Sequence, residues 1–198
     1  MGKDWIQSYS DLKVTPRAIR PEQVRFADIA HALAGKGRFT CQSKGRPYSV
    51  AQHCVLGARL LPAPFKLPFL LHELDEVYLP DINAPTKPYV YVKLPDDSMV
   101  PWTVLAAQHV DAMLEALGLS SIRPLLDSPQ VKAMDLAMLA AEKEQIMGPP
   151  PEPWNLTVPA APVCIYLWTP EQAEAEFTKL FDELTDGWGY DANGSPVP

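Results

Sequence analysis

The chain has 198 residues, of which 47% are apolar and 21% charged, and its formal net charge is −7. A length of this order suits one compact domain with a sizeable core, and the acidic balance argues against a protein that grips duplex nucleic acid by its phosphates. No apolar run reaches the roughly 18–20 residues of a membrane span, Met1 to Ser10 does not read as a signal peptide, and Cys41, Cys54 and Cys164 suit neither a disulfide framework nor a CxxC zinc site. A cytoplasmic protein that neither enters a membrane nor binds nucleic acid is the expectation.

Twenty-two prolines fall mostly at 62–68, 80–101 and 149–170, and these stretches read as connections. Between them the apolar period is helical. Pro21 to Ala34 reads as a first helix. Ser49 to Leu61 is a second, with Ser49 as cap and Gln52 at the capping-box position. Phe65 to Tyr78 is strongly apolar and is expected as one helix. Pro101 to Leu117 is helical and stops at Gly118, and Pro129 to Met147 is a long helix ending at Gly148. Thr169 and Pro170 open a last amphipathic helix running to Leu184. Tyr89 to Leu94 and Val163 to Trp168 are candidate short strands, and 187–198 reads as a loose tail. The pattern predicts one mainly α domain spanning 1–198.

His53, the pair His72–Glu73, and Asp135 stand out because each interrupts a predicted helix otherwise rich in apolar residues. Imidazole and carboxylate groups on core-forming helices are costly unless something pairs them. A divalent ion (Zn, Co, Mn or Mg) is the simplest shared partner. A lone helical histidine is ordinarily a satisfied core or surface residue, and His31 and His109 are read that way. Spacing alone does not separate His53 from them, and a His–Glu dipeptide alone is unremarkable. Lys44 and Arg46 form a basic loop, either solvated or available to a phosphate tail as point charge and fork. Glu142 and Glu144 are read as exposed helix face, and Asp96–Asp97 as exposed loop.

The segments DIAHALAGKGRFTCQSKGRPYSVAQHCVLGARLL (28–61), FLLHELDEVYLPDINAPTK (69–87) and AMDLAMLAAEKEQIM (133–147) resemble the small HD-domain phosphohydrolases. The phage-type dATP triphosphohydrolases of the DatZ kind look nearest, with YfbR-type 5′-deoxynucleotidases more distant. The resemblance implies an all-α HD-domain fold of about six helices, with proline-rich loops over the pocket. It implies metal ligation by His53, His72, Glu73 and Asp135. Glu76 would handle the proton near the attacking water, Asp81 would read the sugar 3′-hydroxyl, and Lys87 and Arg38 would face phosphate. Phe39 would lie near the base, with Cys41 among the substrate contacts beside it. One departure is plain: the second member of the pair is Glu73 where the family carries aspartate.

The expected reaction is conversion of dATP to deoxyadenosine and triphosphate, in host cytoplasm if the protein is phage-encoded. A 5′-deoxynucleotidase acting on monophosphates and a non-catalytic nucleotide-binding module are the alternatives. Relatives by resemblance form dimers or hexamers, so a homo-oligomer is expected.

Overall fold

The computed structural model describes residues 4–94 and 96–185, and the backbone of 189–190 and 196–197. Helices dominate: α1 (Phe26–Gly35), α2 (Val50–Leu60), α3 (Ala63–Leu70), α4 (Trp102–Ala116), the short α5 (Arg123–Leu126), α6 (Pro129–Ile146) and α7 (Pro170–Leu184). Short strands pair antiparallel as β1 (Ile6–Gln7) with β2 (Lys13–Val14), β3 (Tyr91–Lys93) with β4 (Met99–Pro101), and β5 (Gly189–Tyr190) with β6 (Pro196–Val197). The rest of the expected loose tail lies outside the described residues. Among the described residues, no helix is long and apolar enough to cross a membrane.

Helix starts follow the caps. The Ser49 hydroxyl accepts from the Gln52 N–H at 3.1 Å, and Ser128 accepts from Val131 at 3.4 Å. Thr169 and Gln172 form a full capping box ahead of α7. The box expected at Ser49 is only half made. The Gln52 side chain turns away, donating to Tyr166 O at 2.7 Å and accepting from Trp168 N at 3.0 Å. Gln145 on α6 does the same for Val163 O and Ile165 N, at 2.8 and 2.9 Å. Residues 163–168 therefore run without strand partners, four of their backbone groups being satisfied by two glutamine side chains.

Two other expectations shift. Pro21–Gln23 forms a separate 3-10 turn, and α1 begins only at Phe26. The helix expected over Phe65–Tyr78 ends at Leu70 and is followed by a 3-10 turn at Leu74–Glu76. The Phe69 carbonyl explains the stop. It accepts from the His72 ring Nδ1 at 2.6 Å, so the bond a continuing helix would form there is taken by a local side chain.

The core gathers Leu33, Val55, Phe69, Leu70, Met138, Phe177 and Phe181, all inaccessible to solvent. At its centre α2 packs on α1, α3, α6 and α7. Gly57 permits the α2–α3 approach, since a methyl there would run into the Phe69 ring. That ring also lies 4.4 Å from the His72 ring and 5.5 Å from His53, centroid to centroid. The Gly57→Ala variant is therefore expected to lose about 1–3 kcal/mol of stability, as overpacked cores do. Chemical denaturation measures it, and an unchanged midpoint would show that Phe69 yields freely.

Candidate metal centre

α2 carries His53 to its buried face, and α6 brings Asp135 opposite, its side chain half-exposed. His72 and Glu73 come from the break after α3. Adjacent residues on a continuous helix point about 100° apart, so the break is what lets both face one point. One ligand atom from each of His53, His72, Glu73 and Asp135 lies within 4.8 Å of all the others. The residues singled out from the sequence as metal ligands are thus brought together.

The histidines are oriented from behind. His72 Nδ1 donates to Phe69 O, and His53 Nδ1 lies 2.6 Å from Glu142 Oε1, with both of those residues fully buried. Both Nε2 atoms are buried without a hydrogen-bond partner. His53 Nε2 is 3.3 Å from Asp135 Oδ1, and His72 Nε2 is 3.6 Å from Glu73 Oε1 and 3.9 Å from Asp135 Oδ1. Orphaned nitrogens facing carboxylate oxygens form a donor set that fits a divalent ion.

Charge supports the same fit. Arg38 reaches Glu73 at 2.9 Å, Glu142 at 3.4 Å and Asp135 at 3.9 Å. Burial opposes its charge, but these carboxylates outweigh that and raise its pKa. Burial likewise pushes all three carboxyls up, and their hydrogen-bonding and charged neighbours overcome it. His72 and Arg38 lower Glu73, Arg38 and His53 lower Glu142, and the two histidines lower Asp135. With neutral imidazoles, three carboxylates against one guanidinium leave two negative charges, the charge of one divalent ion. Burial lowers His72, but Glu73 and Asp135 raise it well above its ordinary value, so an incoming metal would displace a proton.

Glu142 is the residue the sequence reading misplaced. It is buried, whereas Glu144 is exposed as expected. The signal was its spacing: seven residues beyond Asp135 is two turns along one helix face. His31 and His109 take structural roles, His31 against Glu174 and Tyr9, and His109 against Pro16 O.

His72 and Asp135 also line a cavity of about 310 Å³, together with Asp75, Lys87, Arg123, Asp127 and Lys132. Lys87 therefore shares a cavity wall with two members of the cluster. Arg123 and Lys132 were not singled out, although Lys132 precedes Asp135 by three residues and shares its face. Arg123 is paired with Asp111 at 2.7 Å and Asp127 at 2.8 Å, and Lys132 lies 3.5 Å from Asp127. Arg46 instead lines a separate cavity of about 330 Å³ with Lys36, Ser49 and Trp168. Lys44 is exposed at the end of α6, its N–H donating to Ile146 O at 2.7 Å. The basic loop does not contribute to the cavity beside the cluster.

Phe39, with Arg38 5.6 Å from its centroid and Trp154 6.1 Å away, remains beside the cluster's arginine. Cys41 is exposed two residues on, and Asp81 is half-buried in the loop after Leu79. Glu76 is buried. Lys36 clamps its segment, donating to the carbonyls of Glu76 and Leu79.

No family model matches the chain. It is 33% identical over 143 residues to the Escherichia coli (strain K12) "Uncharacterized protein YfdR", covering 72% of each chain. It is 30% identical over 159 residues to the Rhodobacter capsulatus "Uncharacterized protein RCAP_rcc00048", covering 75% of this chain and 76% of that one.

Two expected outcomes follow from the cluster. The His72→Ala variant should lose most bound divalent ion while keeping its helical content; elemental analysis beside circular dichroism decides, and full metal occupancy would place the site elsewhere. The second concerns Glu76, which burial and then the charge of Glu73 push up to about 9. Its carboxyl takes up a proton on folding, so stability falls as pH rises from the ordinary carboxylate range through about 9. In chelator-treated protein, Glu76→Gln should flatten the fall in melting temperature between pH 7 and 9. Equal slopes would contradict it.

Proposed function

The chain belongs to the family of the Escherichia coli YfdR protein, and we propose that it is a metal-dependent phosphohydrolase of HD-domain type that converts dATP to deoxyadenosine and triphosphate. The observation that carries this reading is the convergence of two partnerless imidazole nitrogens and two carboxylates beside a cavity walled by Lys87, Arg123 and Lys132.

A bound divalent ion would acidify a water and screen phosphoryl charge. His72 and Asp135 are at once ligands and cavity wall, which supports phosphate approaching from that side. Lys87 offsets charge developing on phosphoryl oxygens, and the gain is larger where water is scarce. Arg123 and Lys132 take the role first expected of Lys44 and Arg46, holding the rest of the polyphosphate tail. Glu76, protonated near neutral pH, is suited to donate a proton. Asp81 accepts from the 3′-hydroxyl, and Phe39 with Trp154 forms an aromatic wall for the base.

One observation favours the monophosphate alternative: Asp111 and Asp127 already partly neutralise Arg123 and Lys132. Chromatography of the products separates the two readings. Incubation with dATP and a divalent metal is expected to yield deoxyadenosine and inorganic triphosphate without dADP or dAMP. Orthophosphate from dAMP with dATP untouched would establish the nucleotidase instead.

A further inference from the structure

Glu142 has no part in the ligand set, yet its carboxylate touches two sides of it. Oε1 lies 2.6 Å from His53 Nδ1, and Oε2 lies 3.4 Å from Arg38 Nε. Arg38 in turn donates through Nη1 to Glu73 Oε1 at 2.9 Å. Glu142 and His53 are both wholly inaccessible to solvent, so no water competes for these contacts.

We propose that Glu142 is the positioning residue of the metal centre, fixing His53 as the Nδ1–H tautomer and, through Arg38, holding the Glu73 carboxylate in place. The inference rests on the metal-centre reading. Its logic is donor and acceptor arithmetic. An ionised carboxylate only accepts, so a 2.6 Å contact to Nδ1 requires the proton on Nδ1. The Nε2 lone pair is then left facing Glu73, His72 and Asp135. A neutral imidazole without such a partner distributes its proton between both nitrogens and rotates more freely, and each effect weakens ligation. The second oxygen lies 3.4 Å from Arg38 Nε, an ion pair without a hydrogen bond, and the Nη atoms of the guanidinium are left to Glu73 and Asp135. Asp135 and Glu142, two turns apart on α6, thus act on opposite edges of the His53 ring: one from the ligand side and one from behind.

The test compares wild type with Glu142→Gln, using zinc. Glutamine keeps the size and an acceptor oxygen but loses the charge and places an amide against Arg38 or His53. Chelator-competition titration should show zinc binding weakened about 10–100-fold, the usual effect of losing an outer partner of a ligating histidine. Long-range proton–nitrogen correlation spectra of zinc-loaded wild type should show His53 protonated at Nδ1 and metal-bound through Nε2. This second readout needs no variant, so a misfolded Glu142→Gln would leave the proposal exposed to test. Equal zinc affinity in both proteins, or zinc on His53 Nδ1, overturns the proposal and leaves the metal reading standing. A wild-type chain that takes up no divalent ion overturns both.

Discussion

The buried contact between His53 and Glu142 is the constraint on which the site's geometry depends. Removing an ionised carboxylate from water costs several kcal/mol unless charge and hydrogen bonds replace its hydration. Glu142 is sealed completely, so α2 and α6 are held at the separation that lets His53 and Arg38 reach it. The same spacing presents Asp135 to the other nitrogen of His53. The candidate metal cluster and its supporting layer are therefore one electrostatic unit. Removing a single member leaves uncompensated buried charge, in contrast to the exposed pairs such as Arg59–Glu176 or Lys93–Asp97, which contribute little.

Arg38 is delivered to this unit by an unusual stretch of backbone. Phe39, Thr40 and Cys41 have φ of 55°, 50° and 60°, a left-handed turn built from non-glycine residues at a cost on the order of 1–2 kcal/mol each. Hydrogen bonds hold it: Arg38 N–H donates to Tyr48 O at 2.8 Å, and Cys41 and Gln42 N–H donate to Arg38 O and Phe39 O, both at 3.0 Å. The ionic hold on the Arg38 side chain helps offset the strain. Strain of this kind persists where neighbouring contacts over-determine the conformation, and such places are often functional. Here it reverses the chain directly after the arginine, so that the guanidinium enters the cluster while Phe39 turns toward Trp154.

Local chemistry made much of the fold legible in the sequence. Ser49 and Thr169 are caps whose hydroxyls need only a neighbouring N–H, and α2 and α7 begin at them. Polar groups in apolar helices marked His53, His72, Glu73 and Asp135 as candidates, but spacing alone did not separate them from ordinary core residues, and the resemblance in the flanking motifs was what joined them into one cluster. What periodicity could not reveal depended on competition between side chains and backbone. The apolar run from Phe65 to Tyr78 satisfies a helical pattern throughout, yet the His72 ring captures a helical carbonyl and ends α3 at Leu70. Gln52 looks like half of a capping box, but the backbone of 166–168 is the better-placed partner in three dimensions. Glu142 reads as solvent-facing because its burial is decided by Arg38 and His53, both more than eighty residues away in sequence.

The two sides of the cluster differ in a way that bears on its chemistry. His53 and Glu142 form a closed, dry back wall, whereas Asp135 is half-exposed and shares the cavity with His72. Four protein ligands complete a tetrahedral zinc shell, while a six-coordinate ion such as Mn or Mg keeps two positions for water or substrate oxygen. Any open position would have to lie on the cavity side, because the other side is filled by Phe69 and the α2 core. The cavity is not uniformly basic: Asp75 and Asp127 alternate with Lys87, Arg123 and Lys132. Such a wall rewards an anion only where it displaces the internal pairs, so geometry rather than net charge decides what the cavity admits. An acidic chain with net charge −7 thus gathers Lys87, Arg123 and Lys132 in one pocket, a local departure from the sign of the whole molecule.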